Sequence, residues 1–263
     1  MMSLSDVFSA ARAESRAALI GYLPAGFPTV DGSKDYLRSM VESGCDLVEV
    51  GLPFSDPVMD GPTIQAAAEQ ALAAGFRVRD LFDVVSAVTD AGGRAVVMTY
   101  WNPVLRYGVD AFARDLAAAG GLGIITPDLV PDEAEDWMAA SAAHGLDRTF
   151  LVAPSSTEER IAMTARASSG FLYATAVMGV TGARDVVSSA APELVARVRE
   201  HTTLPIGVGL GVRSGAQAAE IAGFADGVIV GSAFVSAVNE GDAAVRALAA
   251  DLAKGVRSAP ATV

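Results

Sequence analysis

The sequence predicts an α/β fold, a single (β/α)8 TIM barrel with an extra N-terminal helix. Short apolar runs alternate with alanine-rich helical stretches, eight times along 263 residues. The runs are apolar almost throughout, as in parallel strands that are buried on both faces. Eight short units fit a closed barrel better than a doubly wound sheet, whose units are fewer and longer. No composition break marks a linker, so 1–263 is predicted to be one domain, with a frayed tail at 258–263.

Each predicted strand is followed by a predicted helix. The strands are 18–23, 46–51, 94–100, 122–126, 148–153, 171–175, 204–209 and 226–231. The helices are 33–44, 63–75, 109–120, 131–145, 156–167, 191–202, 214–223 and 232–240, and a further amphipathic segment reaches about residue 256. Gly44 and Gly75 end two helices. Pro131 begins another, and Ser156 with Glu159 three residues later indicates a capping box.

The bulk composition excludes several classes of partner and compartment. Lys and Arg number 19 against 31 Asp and Glu, and the net charge of −12 argues against nucleic acid and anionic membranes as partners. One cysteine, Cys45, allows no internal disulfide and fits the cytoplasm; its apolar surroundings favour a buried hydrophobe over a nucleophile. The N-terminal "MMSLSDVFSAARAESR" lacks the pattern of a signal peptide, and no apolar run is long enough for a membrane helix.

The residue types missing from the predicted barrel mouth limit which catalytic groups could act there. Active sites of such barrels lie where strands end and βα loops begin. The two lysines, Lys34 and Lys254, and the two histidines, His144 and His201, are all predicted away from those ends. A Schiff-base lysine, a histidine-rich metal site and a catalytic histidine base are therefore not expected, and no metal is predicted. Catalysis would depend on carboxylates, tyrosines or hydroxyls.

Three glycine-rich turns follow the last three predicted strands. They are "MGVTGAR" (178–184), "GVGLGV" (207–212) and "VGSAF" (230–234). Turns after strands seven and eight form a recurrent phosphate site in these barrels, and Gly211 and Ser232 would both present backbone amides there. In any one of these turns, the glycines could serve only to allow a tight turn. The pair together favours phosphate, whereas a dinucleotide-binding interpretation of 207–212 fails on the glycine spacing.

The stretch "VEVGLPFSDPVMDG" (48–61) places one acid inside an apolar strand. Leu47, Glu49 and Gly51 share one face by the two-residue period of a strand. If that face points into the barrel, Glu49 is desolvated, and its raised pKa suits it to exchange a proton near neutral pH. The alternative is an outward Glu49 paired with an arginine.

A second acid, Asp60, lies in the loop after this strand, directly before "GP" and a helix. Its position fits a functional carboxylate and an N-terminal helix cap equally well. Asp56, in the same loop, is a further candidate. Position alone does not decide among these alternatives.

At this point the residues resemble a family. The segment "VEVGLPFSDPVMDGPTIQ" strongly resembles the signature of the tryptophan synthase α chains. Further matching segments are "GYLPAGFPT" (21–29), "MTYWNPV" (98–104), "TPDLVPDE" (126–133), "GVTG" (179–182), "VGLGV" (208–212) and "GFADGVIVGSAFV" (223–235). The resemblance runs in order from about residue 4 to residue 257 without a large insertion.

The resemblance implies a (β/α)8 barrel that cleaves indole-3-glycerol phosphate into indole and glyceraldehyde 3-phosphate by a retro-aldol step. It implies no cofactor in this chain and an αββα heterotetramer with a β chain, which carries pyridoxal phosphate and makes L-tryptophan. Glu49 matches the general acid/base, and Asp60 matches the carboxylate that holds the indole N–H.

The resemblance also assigns the remaining site positions. The indole pocket would be walled by Tyr22, Met98, Tyr100, Ile125, Leu151 and Leu210, with Tyr173 near the reacting centre. The phosphate binders would be Gly182, Gly211, Gly231 and Ser232, and Thr181 matches the threonine of the loop that closes over the substrate. The β chain would face Pro53, Asp56 and Asn102. Tyr22, Met98, Pro127 and Leu210 differ from the commonest residues of the family but stay apolar or aromatic.

Two alternatives share most of these residues. One is a stand-alone lyase that releases indole without a β chain. The other is a non-catalytic chain that only activates a β chain, although the complete set of acids and phosphate glycines weighs against it. A phosphosugar isomerase or another barrel lyase is more distant, because such enzymes usually need a lysine, histidine or metal at the mouth.

Overall fold

The predicted barrel is confirmed by the computed structural model, which describes residues 3–175, 190–209 and 211–258. Eight parallel strands pair in chain order, and the last pairs with the first to close the sheet. The strands are β1 Ala18–Pro24, β2 Leu47–Gly51, β3 Ala95–Met98, β4 Gly123–Thr126, β5 Asp147–Val152, β6 Leu172–Thr175, β7 Ile206–Gly209 and β8 Gly227–Val230. All eight overlap the apolar runs that predicted them.

Most of the helices form the outer layer, with their apolar sides packed on the strands. They are α1 Leu4–Ala13, α2 Val30–Glu42, α3 Pro62–Ala73, α4 Val78–Asp90, α5 Trp101–Tyr107, α6 Val109–Ala118, α7 Glu135–His144, α8 Glu158–Ala167, α9 Ala190–Arg199, α10 Gly215–Ala222, α11 Ser232–Val238 and α12 Asp242–Ser258. No helix within the described ranges is long and apolar enough to cross a membrane.

The second strand–helix unit differs from the prediction. The predicted helix 63–75 is α3, but α3 packs mainly on α11 and β1. The place in the outer ring is taken by α4, which was not predicted and which contacts α2, β2 and β3. Its buried Leu81, Val84, Val85 and Val88 recur at helical spacing and supply the apolar side that the ring requires.

Local details of other helices also differ. The predicted capping box at Ser156 is wrong: the N-cap of α8 is Thr157, which accepts from the Arg160 N–H at 3.2 Å. The Ser156 hydroxyl instead accepts from the Ala153 N–H in the preceding turn. The predicted helix 131–145 is a short 3-10 turn, Pro131–Glu133, followed by α7. The short helix α5 was not predicted.

The extra N-terminal helix, α1, covers the barrel at the N-terminal ends of its strands. Leu4, Val7 and Phe8 are buried in one apolar cluster with inward-facing strand residues. The Phe8 ring packs on the ring of Phe171, with centroids 5.2 Å apart. The backbone N–H of Leu4 donates to the carboxylate of Asp147, the first residue of β5, at 2.9 Å. Helix α1 is thereby fixed to this end of the barrel.

Inward-facing side chains are arranged in layers, and alternate strands contribute the members of each layer. From the observed register we place Glu49, Ile125, Tyr173 and Ile229 in one layer, and Tyr22, Met98, Leu151 and Gly209 in the layer above it, nearer the C-terminal ends of the strands. An acid therefore lies at the base of the chamber that opens at this end, which we call the mouth.

Candidate active site

Glu49 lies on β2 and is 1% exposed. Strand pairing sets it beside Tyr22 of β1 and Val96 of β3, on the side of the sheet that faces the barrel interior. Its Oε1 has no hydrogen-bond partner among the described residues. Burial disfavours the charged form and raises the pKa of Glu49 to about 8. The inward-facing prediction fits this geometry, and the alternative of an outward ion pair does not.

Asp60 is half-buried in the loop between β2 and α3. Its carboxylate accepts from the Tyr100 hydroxyl at 3.2 Å, and that hydroxyl accepts from the Met59 N–H at 3.0 Å. Desolvation raises the pKa of Asp60, and the Tyr100 hydrogen bond opposes that effect. The N-cap of α3 is Gly61, so the helix-cap alternative for Asp60 is not what the structure contains.

Two tyrosine rings, Tyr22 and Tyr173, fill space above strand glycines near the acids. The ring of Tyr22 lies against Gly51, and the ring of Tyr173 lies against Gly209; a Cβ at either glycine would overlap the ring. Burial raises the pKa of both hydroxyls well above the ordinary value, and the nearby carboxyl groups of Asp60 and Glu49 add to the effect. The two acids and the two phenols therefore share one chamber.

Most of the predicted indole-pocket residues line or adjoin this chamber. Tyr100 and Ile125 are buried, and Met98 and Leu151 are partly buried. Met98 and Leu151 lie in the layer of Tyr22, above Glu49. The ring of Phe54, which sequence reasoning missed, packs on Tyr100 with centroids 5.2 Å apart. The predicted positions Leu210 and Thr181 lie outside the described residues.

The turns after β7 and β8 lie on neighbouring strands at the mouth. Gly211 has φ +69°, a left-handed conformation that favours glycine. Gly231 is the N-cap of α11, and Ser232 begins that helix and is buried. A Cβ at Gly231 would lie 3.6 Å from the Tyr22 ring, so this turn adjoins the acid chamber. Gly182, the fourth predicted phosphate binder, is outside the described residues.

The histidines and the cysteine lie away from the mouth. His144 is the last residue of α7 and contacts Asp110 at 2.9 Å, while His201 contacts Glu158 at 2.8 Å. Cys45 is buried, and burial raises the pKa of its thiol well above the ordinary value. Within the described ranges, no three His, Cys, Asp or Glu side chains come together as a metal site would require.

The predicted partner-facing residues surround the mouth but differ in exposure. Asp56 and Asn102 are exposed, whereas Pro53 is buried in the isolated chain. Sequence reasoning missed three exposed apolar side chains in the segments that follow β2, β3 and β4: Val58 is 68% exposed, Leu105 on α5 is 56% exposed and Val130 is 42% exposed. The sequence signal was an apolar residue within each of the segments that directly follow β2, β3 and β4.

Comparison with known proteins places this geometry in one family. The family described as "Tryptophan synthase alpha chain" matches residues 8–260. The alpha chain of Nocardia farcinica is 72% identical over 256 residues, covering 97% of this chain and 96% of that protein. The fold is similar to a structure of Mycobacterium tuberculosis tryptophan synthase (66% identity, TM-score 0.95), covering 98% of this chain and 99% of that chain. A tryptophan synthase subunit alpha from Legionella pneumophila has 31% identity and a TM-score of 0.86, covering 97% of this chain and 99% of that chain. The chain belongs to the tryptophan synthase alpha chain family.

Proposed function

We propose that this chain cleaves indole-3-glycerol phosphate to indole and glyceraldehyde 3-phosphate, as the α subunit of a tryptophan synthase. The observation that carries the proposal is the Glu49 carboxyl, which is buried, lacks a partner for Oε1 and has a pKa of about 8. A group of that pKa both donates and accepts a proton at neutral pH. Asp60 stands in the same chamber, and turns suited to phosphate adjoin it.

The proposed reaction needs two proton transfers at the base of the chamber. Protonated Glu49 donates to C3 of the indole ring, and Asp60 stabilises the positive charge that develops at the ring N–H. The Glu49 carboxylate then takes the proton of the hydroxyl on the carbon bonded to C3. That carbon becomes an aldehyde, and the electrons of the broken carbon–carbon bond return to the ring. Glu49 ends protonated, so the cycle is balanced.

The remaining predicted residues hold the two ends of the substrate. Backbone amides at Gly211, Gly231 and Ser232, with Gly182, bind the phosphate without a lysine. The indole ring lies among the pocket residues Tyr22, Met98, Tyr100, Ile125, Leu151, Tyr173 and Leu210, and Thr181 closes the site. An apolar enclosure of this kind keeps Glu49 desolvated while the ring is bound.

A β chain is the proposed partner at the mouth. Support comes from family membership and from two exposed apolar side chains: Val58 lies in the same loop as Asp56, and Leu105 lies on α5 with Asn102. We propose that Pro53 also becomes part of this surface, that the complex is an αββα heterotetramer in the cytoplasm, and that pyridoxal phosphate is held by the β chain. This chain needs no cofactor for the proton transfers proposed above.

Indole release from indole-3-glycerol phosphate, measured with and without added β chain, tests the proposed function. We expect slow release by the isolated chain and a steep rise on mixing. Equal rates in both conditions would favour a stand-alone lyase. Absence of release in both conditions, with activation of the β reaction intact, would favour the non-catalytic activator.

Changing Leu105 to aspartate tests the proposed partner surface. Because burial of an unpaired carboxylate is costly, we expect the apparent affinity for the β chain to fall by at least about tenfold. Titration of β chain into a fixed amount of the variant, followed by indole release, measures this. The matched control is Ala250→Asp, an exposed site on α12 beside Ser43 and away from the mouth. Equal affinity of both variants would contradict the proposed surface.

A further inference from the structure

The side chain of Tyr100 joins two segments at the mouth. Its hydroxyl accepts from the Met59 N–H at 3.0 Å and donates to the Asp60 carboxylate at 3.2 Å, and both of these residues lie in the loop after β2. Its ring packs on the ring of Phe54 in the same loop, with centroids 5.2 Å apart. Tyr100 itself lies between β3 and α5, as the N-cap residue of that helix. The backbone at the start of α5 therefore carries the group that holds Asp60.

The peptide group between Tyr100 and Trp101 is held at both ends by side chains. The Thr99 hydroxyl donates to the Tyr100 carbonyl at 2.9 Å. The Trp101 N–H donates to the Asp128 carboxylate at 2.9 Å, across 27 positions of the chain. The Tyr100 side chain provides no capping hydrogen bond to α5. Asp128, in the loop after β4, therefore supplies from another segment an acceptor for the first turn of α5.

We propose that Asp128 is a positioning residue for Asp60 that acts through Tyr100. Its carboxylate accepts from the first N–H of α5, and a hydrogen bond to an ionised acceptor is stronger than one to a neutral acceptor. Without this acceptor the first turn of α5 would fray, and the Tyr100 backbone would lose the bond that fixes it on its C-terminal side. The Tyr100 hydroxyl, which at 3.2 Å is already a distant donor for a carboxylate, would then move away from Asp60.

Loss of the Asp128 side chain would act on the titration of Asp60 in two opposite ways. The Tyr100 hydrogen bond lowers the pKa of Asp60, so weakening that bond raises the pKa. Removal of a negative charge elsewhere in the chain, by contrast, lowers the pKa of a carboxyl group. An upward shift on loss of Asp128 therefore reports the route through Tyr100, and a downward shift reports the charge alone.

The direct test is a titration of Asp60 by nuclear magnetic resonance in the full chain, with carboxyl-labelled aspartate and the Asp60→Asn variant to assign the signal. In Asp128→Ala we expect Asp60 to titrate about half a pH unit higher than in the wild type. Asp128→Asn keeps an oxygen acceptor for the Trp101 N–H and should not raise the titration. Asp136→Ala, which removes another exposed acid at the start of α7, is the matched control and should leave the titration unchanged. An unchanged or lower Asp60 titration in Asp128→Ala, or an equal rise in Asp128→Asn, would overturn the proposal.

The same titration in Tyr100→Phe separates the route through Tyr100 from any other. Phenylalanine keeps the ring that packs on Phe54 and removes the hydroxyl, so Asp60 should already titrate higher in this background. Adding Asp128→Ala to Tyr100→Phe should cause no further rise. An equal rise in both backgrounds would show that Asp128 acts on Asp60 without Tyr100, contrary to the proposal.

Kinetics add an independent readout, which rests on the proposed function. In the proposed reaction an ionised Asp60 stabilises the positive ring, so loss of its orientation lowers turnover more than substrate affinity. We expect kcat of Asp128→Ala for indole release to fall about fivefold, with KM within about threefold, and Asp128→Asn to retain most of the activity. An equal fall in both variants would contradict the role of the hydrogen bond. Since the titration needs no turnover, it decides this proposal even if the chain proves not to be a lyase.

Discussion

Changing Glu49 to glutamine is expected to lower indole release by about 10³-fold, the largest effect of any single substitution in this chain. Glutamine keeps the size of the side chain and removes the proton that must move between the ring and the glycerol hydroxyl. Steady-state indole release, with and without β chain, measures the loss. The matched control is Glu69→Gln on the exposed side of α3, which should turn over normally. Turnover by Glu49→Gln near that of the wild type would remove Glu49 from the proposed mechanism.

The same variant should also differ in its pH dependence of stability. The folded-state pKa of Glu49 is about 8, against an ordinary value of 4.5. Between these values the folded chain binds more protons than the unfolded chain, so the wild type loses stability as pH rises. Glutamine does not titrate, so the variant does not lose stability in this way. The unfolding free energy of the variant minus that of the wild type should therefore grow by a few kcal/mol from about pH 5 to pH 8. Denaturant unfolding at both pH values measures it, and a constant difference would contradict a buried, desolvated Glu49.

Changing Asp60 to asparagine is expected to lower kcat by about 10²-fold. The amide oxygen still accepts the Tyr100 hydrogen bond, so the loop keeps its geometry, but the negative charge opposite the ring N–H is lost. Stabilisation of developing charge by a preorganised group contributes this order of magnitude. Asp90→Asn at the exposed end of α4 serves as the matched control in the same assay. A kcat within threefold of the wild type would show that ring charge is stabilised elsewhere.

The strand pattern was readable from the sequence because parallel strands buried on both faces leave uninterrupted apolar runs. The same pattern did not reveal α4. Its Val84 and Val85 are residues that are also typical of strands, and the helix before it, α3, already appeared to complete the second strand–helix unit. Periodicity describes one segment at a time. Which of two successive helices packs on the sheet depends on contacts with α2, β2 and β3, and these contacts are set by the whole fold.

The two acids show the same limit at the site. Glu49 could be argued from the period of β2, because its row of side chains has to face either the interior or the helices. Asp60 lies in a loop without a period, and its position alone fitted a helix cap equally well. Its hydrogen bond to Tyr100 joins residues 40 positions apart in the chain and follows from the closure of the barrel. The contact of Tyr22 with Gly51 likewise depends on the register of β1 against β2.

Helix α1 closes the end of the barrel that lies opposite the mouth. In the part of the chain that the structure describes, Leu4, Val7 and Phe8 occupy that end. Because α1 covers this end among the described residues, we expect the proposed substrate and its products to pass through the mouth, where a bound product would exclude the next substrate. A protein bound over the mouth would control both the entry of substrate and the release of products. We therefore expect a β chain bound over the mouth to control the exchange of indole with bulk water.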